Sequence, residues 1–170
     1  MKKTPLYTRS LAAVALLASI GTTLHAQQAG PPAYGPPITL EQAKRAMAAA
    51  EAEARKNNWP VVITIVDSGG NDVMMQRLDN TQIGSLAIAR GKATTANNLR
   101  RSTKLLEDAL AAGGAGLRIV TFPGVVATEG GLPIIVDGRI VGAIGVSGVT
   151  SQQDGMVAKA GLDAIAGGSK

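Results

Sequence analysis

Few residues in this chain could do chemistry. Cysteine is absent and the one histidine, His25, lies close to the N-terminus. The stretch from Glu129 to Asp154, EGGLPIIVDGRIVGAIGVSGVTSQQD, gathers the remaining candidates. It places an acid before Gly130 and Gly131, then Ser147 and Gly148 after an apolar run, then Asp154 behind two glutamines. Three reaction types can be tested against this spacing. A nucleophile elbow requires Gly-x-Ser-x-Gly, and Gly145-Val-Ser147-Gly148-Val149 lacks the last glycine and any histidine base. A phosphate-cradling loop requires Gly-Lys-Ser/Thr, which the chain does not contain. A dinucleotide fingerprint requires Gly-x-Gly-x-x-Gly, and Gly142, Gly145 and Gly148 are spaced differently. What survives is a hairpin, a glycine-rich turn and a helix N-terminus. That end has two readings, an anion site on free N–H groups or plain capping by Ser151 and Asp154.

The elements that must position these residues are readable from pattern. Gln27 to Pro37 carries four prolines and reads as a flexible Pro/Gly-rich lead-in, residues 27–38. Thr39-Leu-Glu-Gln42 has the spacing of a capping box, and Leu40, Ala43, Met47, Ala50 and Ala54 recur as the buried stripe of a helix ending near Asn58. Val61 to Val66 is a β-branched run and predicts a buried strand, with Asp72 to Gln76 returning beside it. A second helix is expected after Asp79 and Gln82, with Gly84, Ala87, Gly91 and Thr94 making one face flat. Ser102 to Ala111 predicts a third helix and Arg118 to Phe122 a short strand. Asp137-Gly138 between Ile134–Val136 and Arg139–Val146 is a two-residue hairpin signal. A last helix opens at Ser151, with Met156, Val157 and Ile165 among its apolar residues. The pattern predicts one α+β domain over 39–170: a mostly antiparallel sheet of about five strands between helices, a three-layer α/β/α arrangement.

The N-terminus predicts export. Lys2, Lys3 and Arg9 precede the apolar run Leu11 to Ile20, and Leu24-His25-Ala26 ends in a cleavage pattern, so residues 1–26 read as a signal peptide. The run is too short to span a bilayer. Cleavage would leave 144 of the 170 residues in a periplasmic or secreted protein with no membrane span. Net charge would fall from +5 to +2, because three cations leave and no acid does. No nucleic-acid footprint remains at that charge. The mature chain would keep neither histidine nor cysteine, which excludes Ser-His-Asp and Cys-His catalysis and imidazole or thiolate zinc sites. No catalytic residue is assigned.

Several blocks together resemble the GlcG/HbpS family, a family that includes haem-binding proteins and is related to the C-terminal domain of some cobalamin adenosyltransferases. They are Val66-Asp67-Ser-Gly-Gly70, Arg77-Leu-Asp79, Lys92-Ala-Thr-Thr-Ala96, Glu129-Gly-Gly-Leu-Pro133, and Gly142-Ala-Ile-Gly145-Val-Ser-Gly148 with Gln153-Asp154. The resemblance runs from about Leu40 to Ile165. It implies a homo-oligomer, tetramer or octamer, and a small-molecule site near subunit contacts. For an exported member it implies haem binding, to sequester the ligand or pass it on. Site residues on this reading are Arg77, Lys92, Glu129, Gly130, Gly131, Ser147, Gly148 and Asp154.

Haem prefers a histidine ligand, and the mature chain has none. Substitutes for the iron are Met74 and Met75, which alternate across their strand so that one must face differently from the other. Met47, Met156, Tyr34 and Lys92 are further donors, the first two on faces expected to be buried. Cations for the propionates are Arg77, Lys92, Arg100 and Arg101. The alternative is an oligomeric protein that binds a small carboxylate without haem, using Glu129, Ser147 and the helix N-terminus.

Overall fold

The structure, a computed structural model, describes residues 30–166. The expected signal peptide lies outside these residues. Helix α1 (Leu40–Lys56) begins with the capping box: the Gln42 N–H donates to Thr39 Oγ1 at 3.2 Å and the Thr39 N–H to Gln42 Oε1 at 3.0 Å. Strands β1 (Val62–Asp67) and β2 (Asp72–Arg77) follow, then α2 (Ser85–Leu99) and α3 (Thr103–Ala111). A 3-10 helix, Gly114–Thr121, leads to the hairpin of β3 (Gly131–Val136) and β4 (Arg139–Ser147), and α4 (Ser151–Ala166) closes the fold.

The strands form one antiparallel sheet in the order β2-β1-β4-β3. Asp137 and Gly138 both take positive φ, 49° and 73°, the twist that a two-residue turn between right-twisted strands requires. β1 is central and buried on both faces, which is why it reads as an unbroken β-branched run rather than an alternation. Ile63 and Ile65 pack with Ala46, Ala50 and Val157 under α1 and α4, whereas Val66 packs with Ala93, Ala96 and Ala143 under α2. Each fully buried Val or Ile contributes about 1.5–3 kcal/mol of transfer free energy. The three-layer α/β/α domain is therefore present, with α1 and α4 on one side of the sheet and α2 on the other.

Several expectations are corrected. The sheet has four strands among the described residues, not about five. Arg118 to Phe122 is not a strand. Its first residues finish the 3-10 helix, which abuts α3 so closely that a side chain at Gly116 would overlap the Ala109 carbonyl. α2 starts at Ser85, so Asp79 and Gln82 precede it and do not cap it; the Gln82 amide instead donates to Ser85 Oγ at 3.0 Å. The face of α2 that lies on the sheet is Ala89, Ala93 and Ala96, not the Gly84–Thr94 stripe. Leu40 and Met156 are exposed, while Ala46 and Ala158 are buried in α1 and α4. The lead-in is tied down from Ala33 to Ile38. Ile140 N–H donates to the Ala33 carbonyl, the Ile38 N–H to the Val141 carbonyl, and the Tyr34 hydroxyl to the carbonyls of Asn97 and Asn98.

Candidate functional site

Most of the sequence-predicted site residues meet inside the domain rather than on an open surface. Lys92 in α2 and Asp154 in the first turn of α4 form an ion pair at 2.8 Å, with side chains only 2% and 3% exposed. Burial pushes the Asp154 carboxyl above its ordinary range, while the Lys92 ammonium and the N–H groups of Val149 and Gly148 pull it down. The loop before β3 closes over the pair. Gly130 sits at φ 125° where a Cβ would lie 2.9 Å from Lys92 Nζ and 2.9 Å from Asp154 Cβ. Gly131 abuts the Lys92 carbonyl, and its N–H donates to Thr103 Oγ1 at 2.9 Å. These two glycines exist to let backbone reach the ion pair, which only a residue without Cβ permits.

Ser147 is buried and hydrogen-bonds Ser85 at 3.2 Å, and Gly148 lies against the Pro60 carbonyl. Glu129 is half-buried over Gly155, while its N–H donates to the Glu107 carboxylate, which also accepts from the Ser151 hydroxyl at 3.3 Å. Arg77 stands apart, exposed at the end of edge strand β2. The N-terminus of α4 is capped from within. Thr150 and Gln153 exchange bonds at 3.2 and 3.4 Å, and the Val149 N–H donates to Asp154 Oδ1 at 3.2 Å. Capping thus takes up part of the helix end that the alternative reading needed, through Thr150, Gln153 and Asp154 rather than Ser151.

An open cleft of about 350 Å³ lies between the end of α1 and residues 78–80, with Arg55, Trp59 and Asp79 in its lining. A more apolar open region lies where the end of α2 meets α3 and the 3-10 helix. Val120 is 72% exposed, Leu105 58%, Leu117 54% and Phe122 42%, four large apolar residues in water on neighbouring elements. A cleft of about 290 Å³ between α3 and the 3-10 helix has Leu106 and Ile119 in its wall and Arg101 and Arg118 at its border. A second, of about 270 Å³, lies between α2 and the loop after Phe122, with Thr95, Asn98 and Val125 among its residues. Leu99 and Phe122 line both. Of this region only Arg101 was singled out from the sequence. Leu105, Leu117 and Val120 gave no signal, because an apolar residue on a short element reads as core until its neighbours are known.

The donors proposed for iron separate clearly. Met74, opposite Ile65 in the ladder, packs against the main core. Met75, opposite Thr64, is 42% exposed on the α2 side of β2 and does not line the apolar clefts. Lys92 Nζ is spent on Asp154 and the Tyr34 hydroxyl on backbone carbonyls. The clefts offer an iron no imidazole, thiolate or thioether among their lining residues.

Comparison with known proteins agrees with the fold and blocks above. The chain is 40% identical over 110 residues to protein GlcG of Escherichia coli K12, a match covering 65% of this chain and 81% of GlcG. Its structure superposes on a double mutant of Streptomyces reticuli HbpS with a TM-score of 0.70 at 29% identity, covering 91% of this chain and 97% of that one. It superposes equally, at 0.70 and 28% identity, on the crystal structure of a PduOC:haem complex, covering 76% and 95%. Since the model of the family described as haem degrading protein HbpS-like matches residues 38–163, the chain belongs to that HbpS-like family.

Proposed function

We propose that this protein binds haem in the apolar groove beside Phe122 after export, and holds or passes on the ligand. The observation that carries this is the pairing of exposed apolar residues with Arg101 and Arg118 at the cleft border. A tetrapyrrole presents the same combination, a flat apolar body with two carboxylates at one edge. The family and the haem complex of PduOC support the ligand class. Bound iron would supply the redox and ligand-exchange chemistry, while this chain's residues cover the rings and neutralise the carboxylates. The residues lining the groove include no histidine, cysteine or methionine that would hold the iron. A grip through apolar contacts and two arginines would suit a ligand that is released to an acceptor.

The test is a haemin titration of residues 27–170, with Arg101→Glu and Arg118→Glu alongside. Saturable uptake that each charge reversal weakens by about tenfold, the equivalent of ~1.4 kcal/mol, supports the reading. Unsaturable uptake, or indifference to both reversals, overturns it. Export is checked by the mass of protein recovered from the periplasm, which should correspond to cleavage after Ala26.

A further inference from the structure

We infer that Phe122 is a partition that sets the size of ligand the groove accepts, an inference that rests on the groove being the binding site. The two clefts it borders measure about 290 and 270 Å³, each at the lower limit of roughly 300–1,000 Å³ for small-molecule pockets. Both have Leu99 and Phe122 in their lining, so these two residues stand where the clefts adjoin. The placement of that ring is local. Phe122 follows the last residue of the 3-10 helix, its N–H donates to the Ile119 carbonyl at 3.1 Å, and its carbonyl accepts from the Val125 N–H at 3.3 Å. Pro123 and Gly124, the latter at φ 71°, then turn the chain back towards α2, where the Val126 N–H donates to Thr95 Oγ1.

Phe122 as a residue is 42% exposed and belongs to neither buried core cluster. An aromatic ring left half in water between two undersized apolar clefts does one of two things. As an ordinary wall it contributes contact to whatever binds, and its removal weakens every ligand. As a partition it keeps the clefts apart, and its removal admits a ligand that must span both. The position of Phe122 in both linings favours the second. An apolar anion short enough for one side binds with the ring in place, whereas haem, the ligand proposed above, binds across both clefts by displacing it.

The experiment compares 1-anilinonaphthalene-8-sulfonate, an apolar anion that fits one cleft, with its covalent dimer bis-ANS, which must span two. Both are titrated by fluorescence into the wild-type chain, Phe122→Ala and Phe122→Leu, and haemin by absorbance into the same three. The expected result for Phe122→Ala is bis-ANS binding tightened by about tenfold with the single probe within about twofold, Phe122→Leu lying between. Haemin should follow bis-ANS. Parallel weakening of both dyes overturns the partition, as does tightening of the single probe alone. If the dyes behave as expected and haemin shows no saturable binding to any of the three, the partition stands and the haem reading fails.

Discussion

The buried Lys92–Asp154 pair gives the sharpest prediction. At 2.8 Å and an effective dielectric of 20, two unit charges attract by about 6 kcal/mol. Removing each ion from water costs several kcal/mol, so the intact pair is close to neutral in net stability. The asymmetry lies in breaking it. Asp154→Ala leaves a buried ammonium with its counter-ion gone and should cost about 3–5 kcal/mol, whereas Lys92→Met with Asp154→Leu should cost far less than either single change. For a domain of this size the single change should lower the melting temperature by roughly 10–20 °C. Urea unfolding at pH 7 of the wild type, both single variants and the double variant gives the coupling energy directly. A coupling below about 1 kcal/mol would refute the reasoning, because the pair would then behave like an exposed one.

Gly145→Ala should destabilise by at least ~2 kcal/mol in the same assay, because the new methyl would overlap the Ala89 carbonyl and crowd Ala93 where α2 lies on β4. Met74→Ala should cost about 2 kcal/mol or more, and Met75→Ala less than about 0.5, since only the former packs against the core. Haemin affinity should be unchanged in Met75→Ala, as that side chain does not line the groove; a lost Soret shift would make it the iron ligand after all. Asp67 is held below the usual carboxylate range: slight desolvation raises it, and hydrogen bonds from Asn71, Gly69 and Gly70 outweigh that. A lowered carboxyl contributes stability above its unfolded value near 3.9 and loses it as pH falls through the folded value. The stability advantage of the wild type over Asp67→Asn should therefore shrink on acidification below about pH 4, measured by urea unfolding across pH.

What could be read in the amino-acid order was local. The Thr39–Gln42 box, the β-branched run of β1 and the Asp137-Gly138 turn each act through residues within a few positions of one another, and each formed as expected. The family blocks were legible for the same reason, as short strings around turns and close contacts. The meaning of those blocks was not. Lys92 and Asp154 are 62 positions apart, and only the meeting of α2 with α4 turns a cation and an acid that looked like ligands for something else into partners for each other. Gly130 and Gly131 looked like a ligand loop because a missing side chain makes room; the space was taken by the chain itself. The apolar groove went the other way. Leu105, Leu117, Val120 and Phe122 are ordinary core residues by type, and solvent exposure depends on whether another layer covers them, which is a property of the assembled fold. Sequence thus determined which segments turn, extend and coil, because those choices depend on neighbours in the chain. Tertiary structure alone decided which polar residues are spent inside and which apolar ones are left exposed, because burial depends on neighbours in space.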